Sequence, residues 1–354
     1  MAGKKIVLTG GGTAGHVTPN IALLPSLRKE GFEITYVGSM NGIEKQLMEE
    51  NGIPYVGVHT GKFRRYFDPQ NFSDPFRVIE GLHEAKVFLR SYKPDVVFSK
   101  GGYVSVPVVT AAHQLGIPCI IHESDMTPGL ANKLCYPSAD KICCNFPETF
   151  EHLPEEKAVL TGTPIRAELF KGSREEGLAL CGFDERRPVL LVMGGSQGAA
   201  SVNSAVRENL DALLKDYQII HLCGKGKMDN LKLTVPGYKQ FEYVGEELKH
   251  LYAACDYILS RAGANAICEI LALRKPNILV PLPSKSSRGD QLLNARSFCQ
   301  QGYSLMVDNE ELPEVLPELL KELTEKKDGM IDRMNHSSQQ DAIPVIMSLI
   351  LAAV

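Results

Sequence analysis

The feature that most constrains the fold is a strand, a glycine-rich turn and a helix that follow one another twice in the chain. An apolar run over 4–9 leads into glycines at 10–12, and a helical pattern begins beyond His16. The second copy runs from 188–193 into a glycine-rich turn over 194–198, followed by a helix predicted over 202–214. Glycine lets such a turn approach a bound group closely, and the helix N-terminus offers it unpaired N–H groups. Each copy therefore predicts a site for an anionic ligand.

Between and after these copies, short β-branched runs alternate with helical patterns. Among these runs, strands are predicted over 55–58, 141–144, 218–222, 241–244 and 257–260. Continuous apolar strands joined by crossover helices are typical of a parallel sheet covered on both faces. A chain of 354 residues is longer than a single hydrophobic core usually accommodates. We therefore predict an α/β protein of two doubly wound, Rossmann-like domains whose parallel sheets face a cleft. The N-terminal domain is predicted over 1–163 and the C-terminal domain over 164–340. A final helix over 341–354 could pack back on the N-terminal domain.

Composition narrows the class of protein. The chain has 38 Lys and Arg against 42 Asp and Glu, a net charge of −4, so no overall field favours nucleic acid. The nine cysteines lack C-x-x-C spacing and predict reduced, cytosolic thiols. No signal peptide and no apolar run long enough to cross a bilayer is predicted.

Two cofactor classes can be tested on the residues. A dinucleotide enzyme needs an acidic residue at the end of its second strand, but that predicted strand ends at Val37, Gly38 and Ser39. No H-x-H, H-E-x-x-H or D-x-D spacing occurs, so no essential metal and no other cofactor is expected. A phosphate leaving group would then depend on backbone N–H groups and helix dipoles.

Five motifs occur in one order along the chain. They are G-G-T-x-G-H at 11–16, G-G-Y-V-S at 101–105, H-E-x-x-x-x-P-G-x-x-N-K at 122–133, G-G-S-x-G-A at 194–199 and Q-x-x-N-A at 291–295. Over nearly its full length the chain thus resembles the MurG family of bacterial peptidoglycan glycosyltransferases, which is family 28. The resemblance implies a GT-B fold and inverting transfer of N-acetylglucosamine from UDP-GlcNAc to the 4-hydroxyl of lipid I, an undecaprenyl-diphospho-muramoyl-pentapeptide. The products would be lipid II and UDP, made by a peripheral protein on the cytoplasmic side of the cell membrane.

The resemblance also implies site residues. The donor UDP-GlcNAc would contact Thr13, Ala14, Gly15, Asp125, Arg166, Ser196, Val244, Ala264, Asn265, Ala266, Ile267, Cys268, Glu269 and Gln291. The acceptor and phosphate loops would include Gly12, Gly101, Gly102, Tyr103 and Asn132. The chemistry is suitable, because the helix after Gly263 offers N–H groups to a diphosphate and Glu269 can accept hydrogen bonds from ribose hydroxyls.

Inversion needs a base that removes the proton of the acceptor hydroxyl. His16 is the first candidate, since its ordinary pKa suits neutral pH; the alternative is that it only hydrogen-bonds the acceptor or the loop. Glu123 and Asp125 are further candidates, each of which could instead brace its loop. Asp125 also departs from the family pattern, which has Asn there, so the donor contact at this position is open.

An aromatic and basic segment suits docking on an anionic membrane surface. The residues of this membrane patch are Phe63, Arg64, Arg65, Tyr66, Phe67, Phe72 and Phe76. The alternative is a loop folded over its own core. For the whole protein, the alternatives to the transferase are a UDP-GlcNAc 2-epimerase or another GT-B enzyme, and a non-catalytic sugar-nucleotide-binding protein; the oligomeric state is unknown.

Overall fold

The structure is a computed structural model that describes residues 3–61, 74–195, 198–283, 289–337, 339 and 342–354. The chain divides into two compact units. The first comprises Met1–Arg166 and Asp341–Val354, and the second comprises Ala167–Gln340.

The first unit is built on a seven-stranded parallel sheet with the order β3-β2-β1-β4-β5-β6-β7. Its strands are β1 (Lys4–Thr9), β2 (Phe32–Ser39), β3 (Tyr55–Val58), β4 (Val96–Ser99), β5 (Cys119–Glu123), β6 (Lys141–Cys144) and β7 (Ala158–Leu160). Its helices are α1 (Thr18–Lys29), α2 (Ile43–Glu50), α3 (Asp74–Tyr92), α4 (Ser105–Gln114) and α5 (Leu130–Cys135), with 3-10 helices at Ala14–His16, Tyr136–Ser138 and Pro147–His152.

The second unit repeats this plan on a six-stranded parallel sheet with the order β10-β9-β8-β11-β12-β13. Its strands are β8 (Val189–Met193), β9 (Gln218–Leu222), β10 (Tyr238–Phe241), β11 (Tyr257–Ser260), β12 (Asn277–Leu279) and β13 (Leu305–Met306). Its helices are α6 (Arg174–Cys181), α7 (Ala200–Glu208), α8 (Leu210–Asp216), α9 (Leu248–Ala254), α10 (Ala264–Ala272), α11 (Asp290–Gln300) and α12 (Leu312–Asn335), with 3-10 helices at Ala167–Lys171 and Asn230–Lys232.

The last helix, α13 (Ala342–Ala352), belongs to the core of the first unit. Its buried residues Ala342, Ile346, Met347 and Ile350 pack in one cluster with α1 and with strands of the first sheet. In the described part of the chain, no helix has both the length and the apolar character that crossing a membrane requires.

The prediction of two doubly wound α/β domains is confirmed. In each sheet the strand order reverses beside the first strand of the unit, between β1 and β4 and between β8 and β11. Register brings the ends of these strands together, with Thr9 opposite Ser99 and Ser260 opposite Met193. Ligands of open parallel sheets bind where the order reverses, beyond the carboxyl ends of the strands. The first glycine loop lies at such a point, and so do the described glycines of the second, Gly194, Gly195 and Gly198.

Candidate functional site

In the first unit, two glycine loops meet beyond β1 and β4. The Gly11 N–H donates to the carbonyl oxygen of Gly101 at 3.2 Å. A Cβ atom on Gly102 would lie 2.2 Å from the Gly11 carbonyl oxygen, and one on Gly12 would lie 2.5 Å from the ring of Tyr103. Gly12 and Gly102 also have φ values of +86°. Glycine is required here because the two backbones touch.

His16 ends the 3-10 helix that joins the first glycine loop to α1. Its Nδ1 lies 3.1 Å from the carbonyl oxygen of Lys100, at the start of the second glycine loop. Because a carbonyl oxygen only accepts hydrogen bonds, Nδ1 carries the proton in the neutral imidazole and Nε2 carries the lone pair. This contact fixes the tautomer that a general base needs and ties His16 to the second loop.

Lys100 and His122 form a buried polar pair below these loops. Lys100 Nζ donates to His122 Nδ1 at 2.8 Å and also contacts the Ser124 hydroxyl. His122 Nε2 donates to the carbonyl oxygen of Gly162 at 2.7 Å. Burial, together with the charge of Lys100, holds the pKa of His122 well below its ordinary value. His122 is therefore a neutral structural residue.

Glu123 is buried and its carboxylate is occupied by four donors. It accepts from the N–H groups of Ser124, Asp125 and Gly129 and from Asn132 Nδ2, at 2.9 to 3.1 Å. Burial raises the pKa of this carboxyl. These contacts favour the bracing alternative over the role of base, because Glu123 binds the turn of Asp125 to the start of α5. The side chain of Asp125 is half-buried beside it.

The donor residues implied by the resemblance belong mainly to the second unit. Ala264, Asn265, Ala266, Ile267, Cys268 and Glu269 form the first part of α10, which begins after Gly263 and follows β11. The N–H groups at the start of α10 thus lie at the point where the strand order reverses. Glu269 is half-buried, and its Oε2 accepts from the Tyr252 hydroxyl at 3.2 Å.

The other donor candidates are more dispersed. Gln291, on α11, accepts at its Oε1 from the Leu282 N–H at 3.1 Å, just beyond β12, and Val244 is half-buried between β10 and α9. Arg166 is the last residue of the first unit before the chain enters the second. Thr13, Ala14 and Gly15 lie in the loop and 3-10 turn that lead to His16. Ser196 lies outside the described residues.

The structure describes only the end of the predicted membrane patch. Phe63, Arg64, Arg65, Tyr66, Phe67 and Phe72 lie outside the described residues. Phe76 lies on α3 and is 74% exposed, and Ile79, one turn later, is 64% exposed.

Two buried charged residues of this site were missed by the sequence reasoning. Lys100 lies directly before the Gly101–Gly102 motif, and a lysine ordinarily faces solvent. Glu44, in the first turn of α2, has the appearance of an ordinary acid at a helix N-terminus. Both are fully buried, and nothing in the periodicity of their segments indicates this.

One described cluster has the composition of a metal site but is not part of the loops. His59, Glu80 and Glu84 bring possible ligand atoms within 4.8 Å of one another. The three residues are at least partly exposed, and His59 already bonds Glu84 through both its N–H and its Nδ1.

Comparisons with known proteins agree with this geometry. Residues 6–144 match the model of the glycosyltransferase family 28 N-terminal domain, and 189–349 match that of the family 28 C-terminal domain. A relative from Lachnoclostridium phytofermentans is 60% identical over 98% of both chains, and one from Lachnospira eligens is 58% identical over 98% of both. Each is named UDP-N-acetylglucosamine–N-acetylmuramyl-(pentapeptide) pyrophosphoryl-undecaprenol N-acetylglucosamine transferase. The crystal structure of Acinetobacter baumannii MurG, 26% identical, superposes with a TM-score of 0.79 over 99% of both chains.

Proposed function

Because the chain belongs to glycosyltransferase family 28 in both of its domains, we propose that it transfers N-acetylglucosamine from UDP-GlcNAc to the muramoyl 4-hydroxyl of lipid I. The products are lipid II and UDP, as peptidoglycan synthesis requires. The observation that carries the proposal is the 60% identity, over 98% of both chains, to a relative named for this transfer. The first unit binds the acceptor and supplies the base, and the second unit binds UDP-GlcNAc.

The reaction is a single displacement with inversion. The acceptor oxygen forms a bond to the anomeric carbon while the bond from that carbon to UDP breaks, and UDP leaves with the electron pair. His16 Nε2 removes the proton of the acceptor hydroxyl, since the Lys100 carbonyl holds the other ring nitrogen in its protonated form. Proton removal and departure of UDP occur on opposite faces of the sugar.

The donor side of the proposal depends on α10. Its first N–H groups bind the diphosphate, and Glu269 accepts hydrogen bonds from the uridine ribose. Arg166 and Ser196 hold phosphate oxygens, and Gln291 and Val244 complete the donor contacts. Backbone dipoles stabilise the departing diphosphate in this scheme, so we propose that no metal is needed.

The test is an assay in EDTA that measures UDP release and disaccharide product with and without a lipid I analogue. We expect both products only when the analogue is present. Absence of product with the analogue would contradict the proposal. Free or UDP-linked ManNAc formed without acceptor would indicate an epimerase, and retention of UDP-GlcNAc without any turnover would indicate a binding protein.

The base is tested by His16→Ala. We expect kcat to fall by about 10²-fold or more, the usual contribution of a general base, while UDP affinity changes little because most of the proposed donor residues lie in the second unit. Near-normal turnover in H16A would remove His16 as the base.

We further propose that α3 helps the first unit bind the cytoplasmic surface of an anionic membrane, where the lipid acceptor resides. Phe76 and Ile79 are exposed on one side of this helix, with Arg77 between them. Replacing both apolar residues by serine is expected to weaken binding to anionic vesicles. The matched control is Ile43→Ser on α2, where an isoleucine is also exposed. Equal binding by F76S/I79S and by the control would contradict this role of α3.

A further inference from the structure

Glu44 is a fully buried carboxylate that faces the first glycine loop. Its Oε2 accepts from the Gly12 N–H at 3.3 Å. Its Oε1 accepts from the Ser39 N–H at 3.1 Å and from the Ser39 hydroxyl at 2.5 Å. Ser39 ends β2, so this one side chain connects the end of a strand to the loop beyond β1.

The local sequence is shaped to admit this carboxylate. A Cβ atom on Gly11 would lie 2.6 Å from Glu44 Cδ, and one on Gly42 would lie 2.2 Å from the same atom. Gly42 precedes α2, and Glu44 lies in the first turn of that helix, where the helix dipole favours a negative charge. The glycine at position 11 is thus explained by contact with a side chain of its own unit.

Glu44 completes the fixation of three consecutive loop residues. The Tyr36 hydroxyl donates to the Gly10 carbonyl oxygen at 2.6 Å, and the Gly11 N–H is held by the second glycine loop. The Gly12 N–H is held by Glu44. The turn of His16 packs on this loop, because a Cβ atom on Gly10 would lie 2.9 Å from the His16 carbonyl oxygen.

The chemistry explains why this position carries a carboxylate. Burying a charge is costly, and the donors that meet Glu44 are neutral groups. Two of them are backbone N–H groups, which cannot reverse direction, and they approach different oxygens. Only a carboxylate accepts on both sides; a glutamine would turn its NH₂ group toward one of these N–H groups.

We propose that Glu44 is a positioning residue for the transfer step, which holds the loop that carries His16 in the geometry needed for proton removal. The inference rests on the proposed function for the role of His16. Glu44 acts through the loop and does not touch substrate. Because Gly12 gives its N–H to Glu44, that group is also not available to a diphosphate.

The test compares Glu44→Gln with Glu49→Gln, the same change at an exposed position of α2. We expect E44Q to lower kcat at least tenfold with UDP affinity within twofold of wild type, and E49Q to behave as wild type. The double variant H16A/E44Q should be no slower than H16A, because Glu44 acts through His16. Multiplying effects in the double variant, or kcat within twofold of wild type in E44Q, would overturn the inference.

A second measurement does not depend on activity. Hydrogen exchange of the segment 10–16 should be faster in E44Q than in wild type while α1 and β1 stay protected, and Ser39→Ala should give a smaller change in the same direction. Unchanged exchange in both variants would refute the holding role even if wild type makes lipid II. Conversely, a wild type without transferase activity would end the proposed function, and faster exchange in the variants would still establish the contact.

Discussion

At the scale of single residues, close approach explains the two glycine loops better than flexibility does. Gly102 must be glycine for two separate reasons, since its φ is positive and its Cβ position is occupied by the Gly11 carbonyl oxygen. Gly116 shares only the first reason. Its φ is +71°, but nothing lies within 4 Å of its Cβ position. Comparing Gly102 with Gly116 therefore separates the effect of a positive φ from the effect of a steric clash at the Cβ position.

We expect Gly102→Ala to lower kcat at least tenfold and to destabilise the first unit by more than Gly116→Ala does. G116A should cost about 1–2 kcal/mol, the usual penalty for a side chain in the left-handed region. In G102A the collision must in addition displace the first loop, and with it His16. Urea unfolding and steady-state rates measure the two effects, and equal stability and activity in both variants would contradict the argument.

At the scale of elements, α13 shows that the end of the chain stabilises the first unit. Ile346 is fully buried in the cluster that α13 shares with α1, whereas Val345 beside it is exposed. We expect Ile346→Ala to lower the free energy of unfolding of the first unit by about 2–5 kcal/mol and Val345→Ala to change it by less than about 0.5 kcal/mol.

UDP-GlcNAc binding provides the control for the α13 variants, because the proposed donor residues lie mainly in the second unit. It should persist in I346A under conditions where the first unit begins to unfold. Equal destabilisation by the two substitutions would show that α13 is not part of that core.

The predictability of individual elements follows from what buries them. Strands β3, β6, β9 and β11 were predicted with their observed bounds, because each is a short run bounded by turns. The single helix predicted over 202–214 was wrong. The helix is interrupted at Asn209, between α7 and α8. The Asn209 side chain donates to the carbonyl oxygens of Ala205 and Pro313 and so competes with the helix backbone.

The strand predicted over 241–244 was also wrong in its bounds, since β10 occupies Tyr238–Phe241. Its inward side includes Gln240, a buried polar residue whose amide bonds Asp229 and Arg207. Apolar periodicity cannot reveal such a position. Periodicity could not reveal the burial of Glu44 either, because that burial depends on a loop distant in sequence. The motifs located the loops; only the tertiary structure shows what holds them.

At the scale of the whole molecule, each unit contains a buried histidine that is held neutral. His122 serves this role in the first unit, and in the second unit burial lowers the pKa of His221 to about 3. His221 Nε2 bonds Asn203 Oδ1, and its Nδ1 bonds the Tyr238 hydroxyl. Since unfolded histidine binds a proton near pH 6.5, acid favours unfolding of both units through these residues.

The sign can be measured at His221 by comparison with His221→Gln. Between pH 6.5 and about 3 the unfolded state binds a proton that the folded state does not, so the stability contributed by His221 is present above pH 6.5 and is lost as the pH falls. The advantage of wild type over H221Q in the unfolding of the second unit should therefore shrink by up to about 1.4 kcal/mol for each pH unit below 6.5. Taking the difference in stability between wild type and H221Q removes the contributions of other titrating groups, which both proteins share. One of these is His59, whose pKa is raised by its hydrogen bond to Glu84, so that it favours folding at lower pH. Urea titrations of both proteins from pH 8 to 5 give this difference directly. A constant difference over that range would mean that His221 is as readily protonated in the folded protein as in the unfolded chain.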